Sequence, residues 1–163
     1  MKRRRAMRGF TLIEVLVVVV IIAIASGVVI ANLGGDDRSR TEREVKRLAG
    51  ALEHAAALAQ WTGETLGVSA DGAAYRFWRR RSDDRWIALD DDAVLAPWVL
   101  PADFTITPAS YAGAPVAVDA VLPFRPSGRN EPYALLLANS AWSVLIAGDP
   151  LNRVHCAAQA VSP

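Results

Sequence analysis

The sequence predicts an α+β protein, a long N-terminal helix followed by an antiparallel β-sheet or sandwich domain. Three observations predict it. Val15 to Gly35 is an uncharged stretch of twenty-one residues, nearly all Val, Ile, Leu or Ala. A second stretch, ending near Trp61 to Gly63, repeats apolar residues at helical spacing. After Thr62 the pattern changes to short alternating runs separated by Gly, Pro, Asn and Asp, as strands require.

Length and composition bound this reading. At 163 residues with 52% hydrophobic content, the chain suits one modest domain and is too apolar for disorder. The net charge of +1 hides an asymmetry, because Lys2, Arg3, Arg4, Arg5 and Arg8 precede Phe10 and leave the remainder with thirteen bases against seventeen acids. A strongly basic body that would point to nucleic acid is absent. Cys156 is the only cysteine, so neither a disulfide within the chain nor a multi-cysteine metal site can form.

The first element is the apolar one. As a helix, Val15 to Gly35 reaches about 31 Å, enough to span a bilayer. Five bases precede it and Asp36 and Asp37 follow, so the positive-inside rule leaves the N-terminus cytoplasmic and the rest across the membrane, periplasmic in a Gram-negative cell. A cleaved secretory signal would have a shorter apolar core, although Ala23, Ala25 and Ser26 imitate its cleavage site. A twin-arginine signal does not account for Glu14. That acid has Phe10 to Ile13 on one side and Val15 onward on the other, and a carboxylate in a membrane helix calls for a cation.

Behind the short basic leader, Gly9-Phe10-Thr11-Leu12-Ile13-Glu14 resembles the prepilin motif of type IV pilins and type II secretion pseudopilins. The resemblance implies cleavage after Gly9 by the prepilin peptidase, N-methylation of Phe10, and an assembly role for Glu14 in pairing with the terminal amine of a neighbouring subunit. Cleavage creates an ammonium one helical turn from Glu14, and the two charges attract strongly in a low-dielectric surround. The alternative is a plain signal anchor whose acid snorkels to the cytoplasmic surface.

The second element follows Gly34-Gly35-Asp36-Asp37, two poor helix formers and two acids that predict a joint and a new helix start. Val45, Leu48, Ala49, Leu52, Ala55, Ala56 and Ala59 share one helical face, expected to pack on the domain that follows. His54 lies off that stripe, as a surface histidine.

Eight strands are predicted beyond it: Thr65 to Ser69, Ala74 to Arg80, Arg85 to Leu89, Phe104 to Thr107, Val116 to Val121, Tyr133 to Ala138, Trp142 to Ala147 and Arg153 to Ala157. Two hairpins are expected, turning through Ser82-Asp83-Asp84 and Asn139-Ser140-Ala141. The whole order divides as a leader at 1–9, a transmembrane and assembly helix at 10–33, an amphipathic helix at 34–63 and a periplasmic β domain at 64–163.

This order matches the pilin-like architecture. Within that family the chain looks most similar to the H-class minor pseudopilins of type II secretion, which share their domain type with FimT minor pilins. The similarity rests on Val45 to Val68, with Lys46-Arg47-Leu48-Ala49 and Gly63 to Gly67, and on Leu122-Pro123-Phe124-Arg125-Pro126-Ser127-Gly128. Asp149-Pro150-Leu151-Asn152-Arg153 departs from the Gly-Arg turn of the family. The resemblance implies a structural subunit in the inner membrane, with other major and minor pseudopilins and the secretion assembly platform as partners, and neither a cofactor nor enzymatic activity.

Other chemistry is weighed against simpler readings. Two histidines at these spacings make no catalytic triad or helical ligand pair. His155-Cys156 is too small a set for zinc, and a strand cysteine is expected to be a small buried hydrophobe. Asp90-Asp91-Asp92 lacks the spaced ligands and glycine of a calcium loop, and is expected to be a solvated acidic turn. Tyr75-Arg76-Phe77-Trp78-Arg79-Arg80-Arg81 and Arg85-Trp86 interleave aromatics with cations as a DNA-binding FimT-like minor pilin could. Alternation sets Tyr75, Phe77 and Arg79 opposite Arg76, Trp78 and Arg80, which favours a packed hairpin over a nucleic-acid surface.

Overall fold

The computed structural model describes the backbone of residues 12–160; side chains are described for Leu16, Val17, Val19 and residues 37–158. Gly9 and Phe10, and the side chain of Glu14, lie outside the described residues. Packing divides the chain between Ser39 and Arg40. The first unit is the N-terminal part of a helix, α1 (Leu12–Thr62), on which Leu16, Val17 and Val19 are exposed. Among the described residues no helix is long and apolar enough to cross a membrane; most side chains of Val15 to Gly35 fall outside them.

Helical backbone continues through Gly34 and Gly35, so the new helix start expected at Asp36 and Asp37 is not made. Each glycine costs about 1 kcal/mol relative to alanine in a helix interior, which strong helical flanks on both sides can offset. α1 ends at Thr62, where Gly63 takes the left-handed conformation (φ 70°) that commonly closes a helix.

The second unit begins at Arg40 and holds two antiparallel sheets. Sheet A comprises β1 (Leu66–Ala70), β2 (Ala74–Arg80), β3 (Trp86–Ala88), β4 (Trp98–Val99) and β6 (Leu122–Phe124), in the order β3-β2-β1-β6 with β4 also on β2. Sheet B comprises β5 (Thr105–Tyr111), β7 (Tyr133–Ala138), β8 (Trp142–Gly148) and β9 (Val154–Ala160), in the order β5-β7-β8-β9. Gly72 and Ile106 exchange two backbone hydrogen bonds of 3.0 Å and join the sheets.

One core serves all three layers. Leu48, Ala51, Leu52, Ala55, Ala56 and Ala59 of α1 pack with Leu66, Val68 and Phe77 of sheet A and Ile106, Leu135, Leu137 and Ile146 of sheet B. The helical stripe therefore lies where the periodicity set it, with Ala51 added and Val45 and Ala49 only partly buried. Small alanines on this face let the helix approach the sheets closely.

The strand at Val116 to Val121 is not formed. Its Val-Ala alternation is interrupted by a turn in which Ala120 N–H donates to Ala117 O and Asp119 adopts φ 67°. Pairing passes to Leu122–Phe124, the apolar half of the family segment, with Leu66↔Phe124 and Val68↔Leu122 in register. β4 is an addition, two residues too short for any periodic signal.

Candidate functional site

The described residues supply four local arrangements that could serve as working surfaces. On α1, the Arg47 guanidinium lies 3.6 Å above the Trp98 ring, whose Nε1 donates to Glu44 Oε2 at 3.0 Å. At the start of the body, Arg40 pairs with Asp103 at 3.1 Å and Asn139 Nδ2 donates to Thr41 Oγ1 at 3.0 Å. Polar residues of the helix thus fix strand β4 and the β7–β8 turn. Trp61, in the last turn of α1, is 91% exposed.

The arginine-rich hairpin turns where expected. Arg81 N–H donates to Arg85 O and Asp84 N–H to Arg81 O, while Asp84 takes φ 62°, giving a three-residue loop with a left-handed last residue. Tyr75 and Phe77 are buried in the core, and Trp78 Nε1 is used by Ser69 Oγ at 2.8 Å. Trp86 lies against β1: a Cβ on Gly67 would stand 3.1 Å from its ring and 2.6 Å from Val121 Cγ1. The cations are largely matched, Arg79 by Glu64 (3.0 Å), Arg80 by Asp84 (3.2 Å) and Arg85 by Asp83 (2.6 Å). The Arg85 side chain first, and its backbone N–H after it, hold the Asp83 carboxyl below its usual range. Gly63, Arg79 to Ser82 and Ile87 line an open cleft of about 840 Å³. Stacking on single-stranded bases needs exposed aromatic faces; here Tyr75 and Phe77 are buried and Trp78 and Trp86 half-buried.

A third arrangement surrounds Leu122 to Gly128. Asn130, buried, accepts the Arg125 N–H at 2.6 Å through Oδ1 and donates through Nδ2 to Asn152 Oδ1 at 2.5 Å. Asn152 Nδ2 donates to Gly128 O at 3.1 Å. Asn152 is also the left-handed residue (φ 64°) of the β8–β9 loop, closed by Asp149 N–H to Arg153 O at 3.0 Å. Asn is among the few residues that visit this region readily, as the turn at this position requires. Gly128 (φ 74°) packs against Gln60 of α1.

The remaining candidates are Asp92 with His54, and Cys156. Asp92 Oδ1 accepts the N–H groups of Val94 and Leu95 at 2.8 and 2.9 Å, and Oδ2 lies 3.9 Å from His54 Nε2. The Leu95 hydrogen bond above all, with Val94 and His54 adding to it, keeps the Asp92 carboxyl below its usual range. Among the described residues, no three His, Cys, Asp or Glu side chains gather as a metal site would need. Cys156 corrects the expectation of a buried hydrophobe: it is exposed on β9. Alternation does point it toward the core side, but β9 is the outer strand and the cover stops short of it. Partial desolvation, then the Glu53 carboxylate, pushes the Cys156 thiol up.

Comparison with known proteins supplies what the geometry alone does not. Residues 4–30 match the prokaryotic N-terminal methylation motif. Type II secretion system protein H of Escherichia coli (strain K12) is 27% identical over 164 residues, covering 91% of this chain and 88% of that protein. The protein of the same name from Pseudomonas aeruginosa is 29% identical, covering 85% and 80%. Among solved structures, the minor pseudopilin EpsH from the Type 2 Secretion System of Vibrio cholerae superposes with TM-score 0.60 at 16% identity, over 76% of this chain and 99% of that one. The solution structure of Escherichia coli GspH gives 0.52 at 19%, over 73% and 88%. The fold is the pilin-like fold of these proteins.

Proposed function

We infer that the chain is a minor pseudopilin of the type II protein secretion system, a structural subunit of the H family. One observation carries this reading: a methylation motif at residues 4–30 heads a chain related to a type II secretion protein H over nearly its whole length. The body has the fold of minor pseudopilins and, among the described residues, gathers no catalytic set of side chains.

In this reading the prepilin peptidase cuts after Gly9, and the new amine of Phe10 is methylated. The apolar helix holds the subunit in the inner membrane, N-terminus cytoplasmic and β domain periplasmic. Exposed Leu16, Val17 and Val19 suit both lipid and neighbouring helices. Glu14 pairs with the amine of a neighbour as the subunit passes from membrane to filament, among the other pseudopilins and on the assembly platform. Its work is assembly, without a cofactor.

Intact mass of the protein recovered from its own membranes tests the reading. Loss of residues 1–9 with gain of one methyl group is expected; an uncut chain would overturn it.

A further inference from the structure

Sheet B has two outer strands, and they are guarded differently. β5 carries Pro108 and a register shift between Pro108 and Ser110, and its outer side meets Gly72 of sheet A. β9 has no such device. Its seven residues contain no proline or lysine, its register with β8 is continuous, and among the described residues no strand pairs with its other side. Outer strands are ordinarily blunted because their free backbone groups template another strand.

Alternation of the ladder tells which groups are open. Asp149 N–H bonds to Arg153 O at the mouth of the hairpin. Counting on from that pair, His155, Ala157 and Gln159 bond to β8, while N–H and C=O of Val154, Cys156 and Ala158 point away from it. The register sets these same three beside Gly148, Ile146 and Val144. Ile146 and Val144 are 0% and 3% exposed, yet Cys156 and Ala158 are exposed and Val154 is half-buried. The apolar face of the sheet therefore continues one strand beyond its cover, as a row of small side chains. The Glu53 carboxylate of α1 acts on the Cys156 thiol from a distance.

We propose that the β9 edge receives an extended strand from a different subunit of the same assembly, which adds to sheet B as its fifth strand. Its inward side chains are apolar and larger than alanine, filling the space over Cys156 and Ala158. The class of partner rests on the pseudopilin reading above. A second copy of this chain fits less well: self-pairing centred on Ala157 sets Cys156 against Ala158, small on small.

The test uses the full chain and its single cysteine. In cells carrying the complete secretion machine, Cys156 is expected to react with a maleimide about tenfold more slowly than in the purified full chain in detergent, as burial of a thiol removes access. A benzophenone maleimide at Cys156 should crosslink to an extended segment of another pseudopilin, identified by mass spectrometry. Ala158→Pro removes an outward N–H and spares the β8 ladder, so it should abolish the protection; amide exchange at Ala157 reports whether the ladder holds. Protection in the unsubstituted chain is read whether or not that variant folds. A homodimer linked through Cys156, or equal reactivity in both settings, overturns the proposal. Finding the chain in sheared filaments with Cys156 open refutes the edge contact alone, whereas absence from filaments refutes the pseudopilin reading beneath it.

Discussion

Asn130 Nδ2 donates to Asn152 Oδ1 across 2.5 Å and joins two loops twenty-two residues apart. The same Asn130 side chain accepts the Arg125 N–H, so removing it orphans a backbone donor beside the core. Asn130→Leu is expected to cost about 2 kcal/mol, read as a lower thermal midpoint of the full chain in detergent. An unchanged midpoint would show that the bond carries no weight.

Asn152 contributes both a backbone conformation and a side chain. Asn152→Gly keeps the left-handed turn and loses the bonds to Asn130 and Gly128, a loss of about 1 kcal/mol. Asn152→Ala loses the bonds and also forces alanine into the left-handed region, about 1 kcal/mol more. The expected order of stability is wild type, Gly, Ala; Ala above Gly in unfolding measurements would contradict the turn assignment.

Two glycines should respond in opposite directions. At Gly67 a Cβ would stand 2.6 Å from Val121 Cγ1 and 3.1 Å from both Leu122 O and the Trp86 ring, so Gly67→Ala is expected to destabilise by about 1–3 kcal/mol. Gly50, exposed on α1, has nothing within 4 Å of a new Cβ. There the gain in helix propensity should stabilise by about 0.5–1 kcal/mol. Denaturant midpoints of the two variants decide both signs.

Asp92 should govern part of the acid limb of stability. Its folded-state pKa is lowered, chiefly by the Leu95 N–H, so its contribution is complete above the ordinary carboxyl value and disappears as pH falls through the lower, folded value. Asp92→Ala is expected to lose about 1 kcal/mol at neutral pH, the usual effect of removing a turn hydrogen bond. It should also show a shallower loss of stability below about pH 4. Parallel acid limbs for the two proteins would count against the assignment.

Glu14→Ala leaves the cleavage sequence at Gly9 and Phe10 intact but removes the proposed partner of the new amine. Processing by intact mass should stay near wild type while recovery in sheared filaments falls. A variant that assembles like wild type would refute the pairing.

Sequence periodicity located what local order dictates. Ala74–Arg80 and Tyr133–Ala138 form the strands that alternation defines, and the stripe from Leu48 to Ala59 forms the helical side of the core. Val116 to Val121 alternates equally well but lacks a strand, because a turn at Ala117 to Ala120 hands the pairing to Leu122–Phe124. Cys156 shows a different limit: alternation gives its direction correctly, while its exposure depends on how far the opposing helix reaches. The arginine hairpin was legible as a hairpin. Its acidic partner Glu64, the glycine under Trp86 and the Asn130–Asn152 bond come from distant sequence and have no local signal.

Gly72–Ile106 and β1–β6 also set an order in time. β7, β8 and β9 are joined by successive hairpins, which form on a scale of about 1–10 μs each. β1 must instead wait for Leu122–Phe124, more than fifty residues later in the chain, and such long closures slow folding through the entropy of the intervening loop. During synthesis from the N-terminus, this strand of sheet A therefore emerges first and is sealed late, making that interval the one in which the nascent chain most needs protection from aggregation.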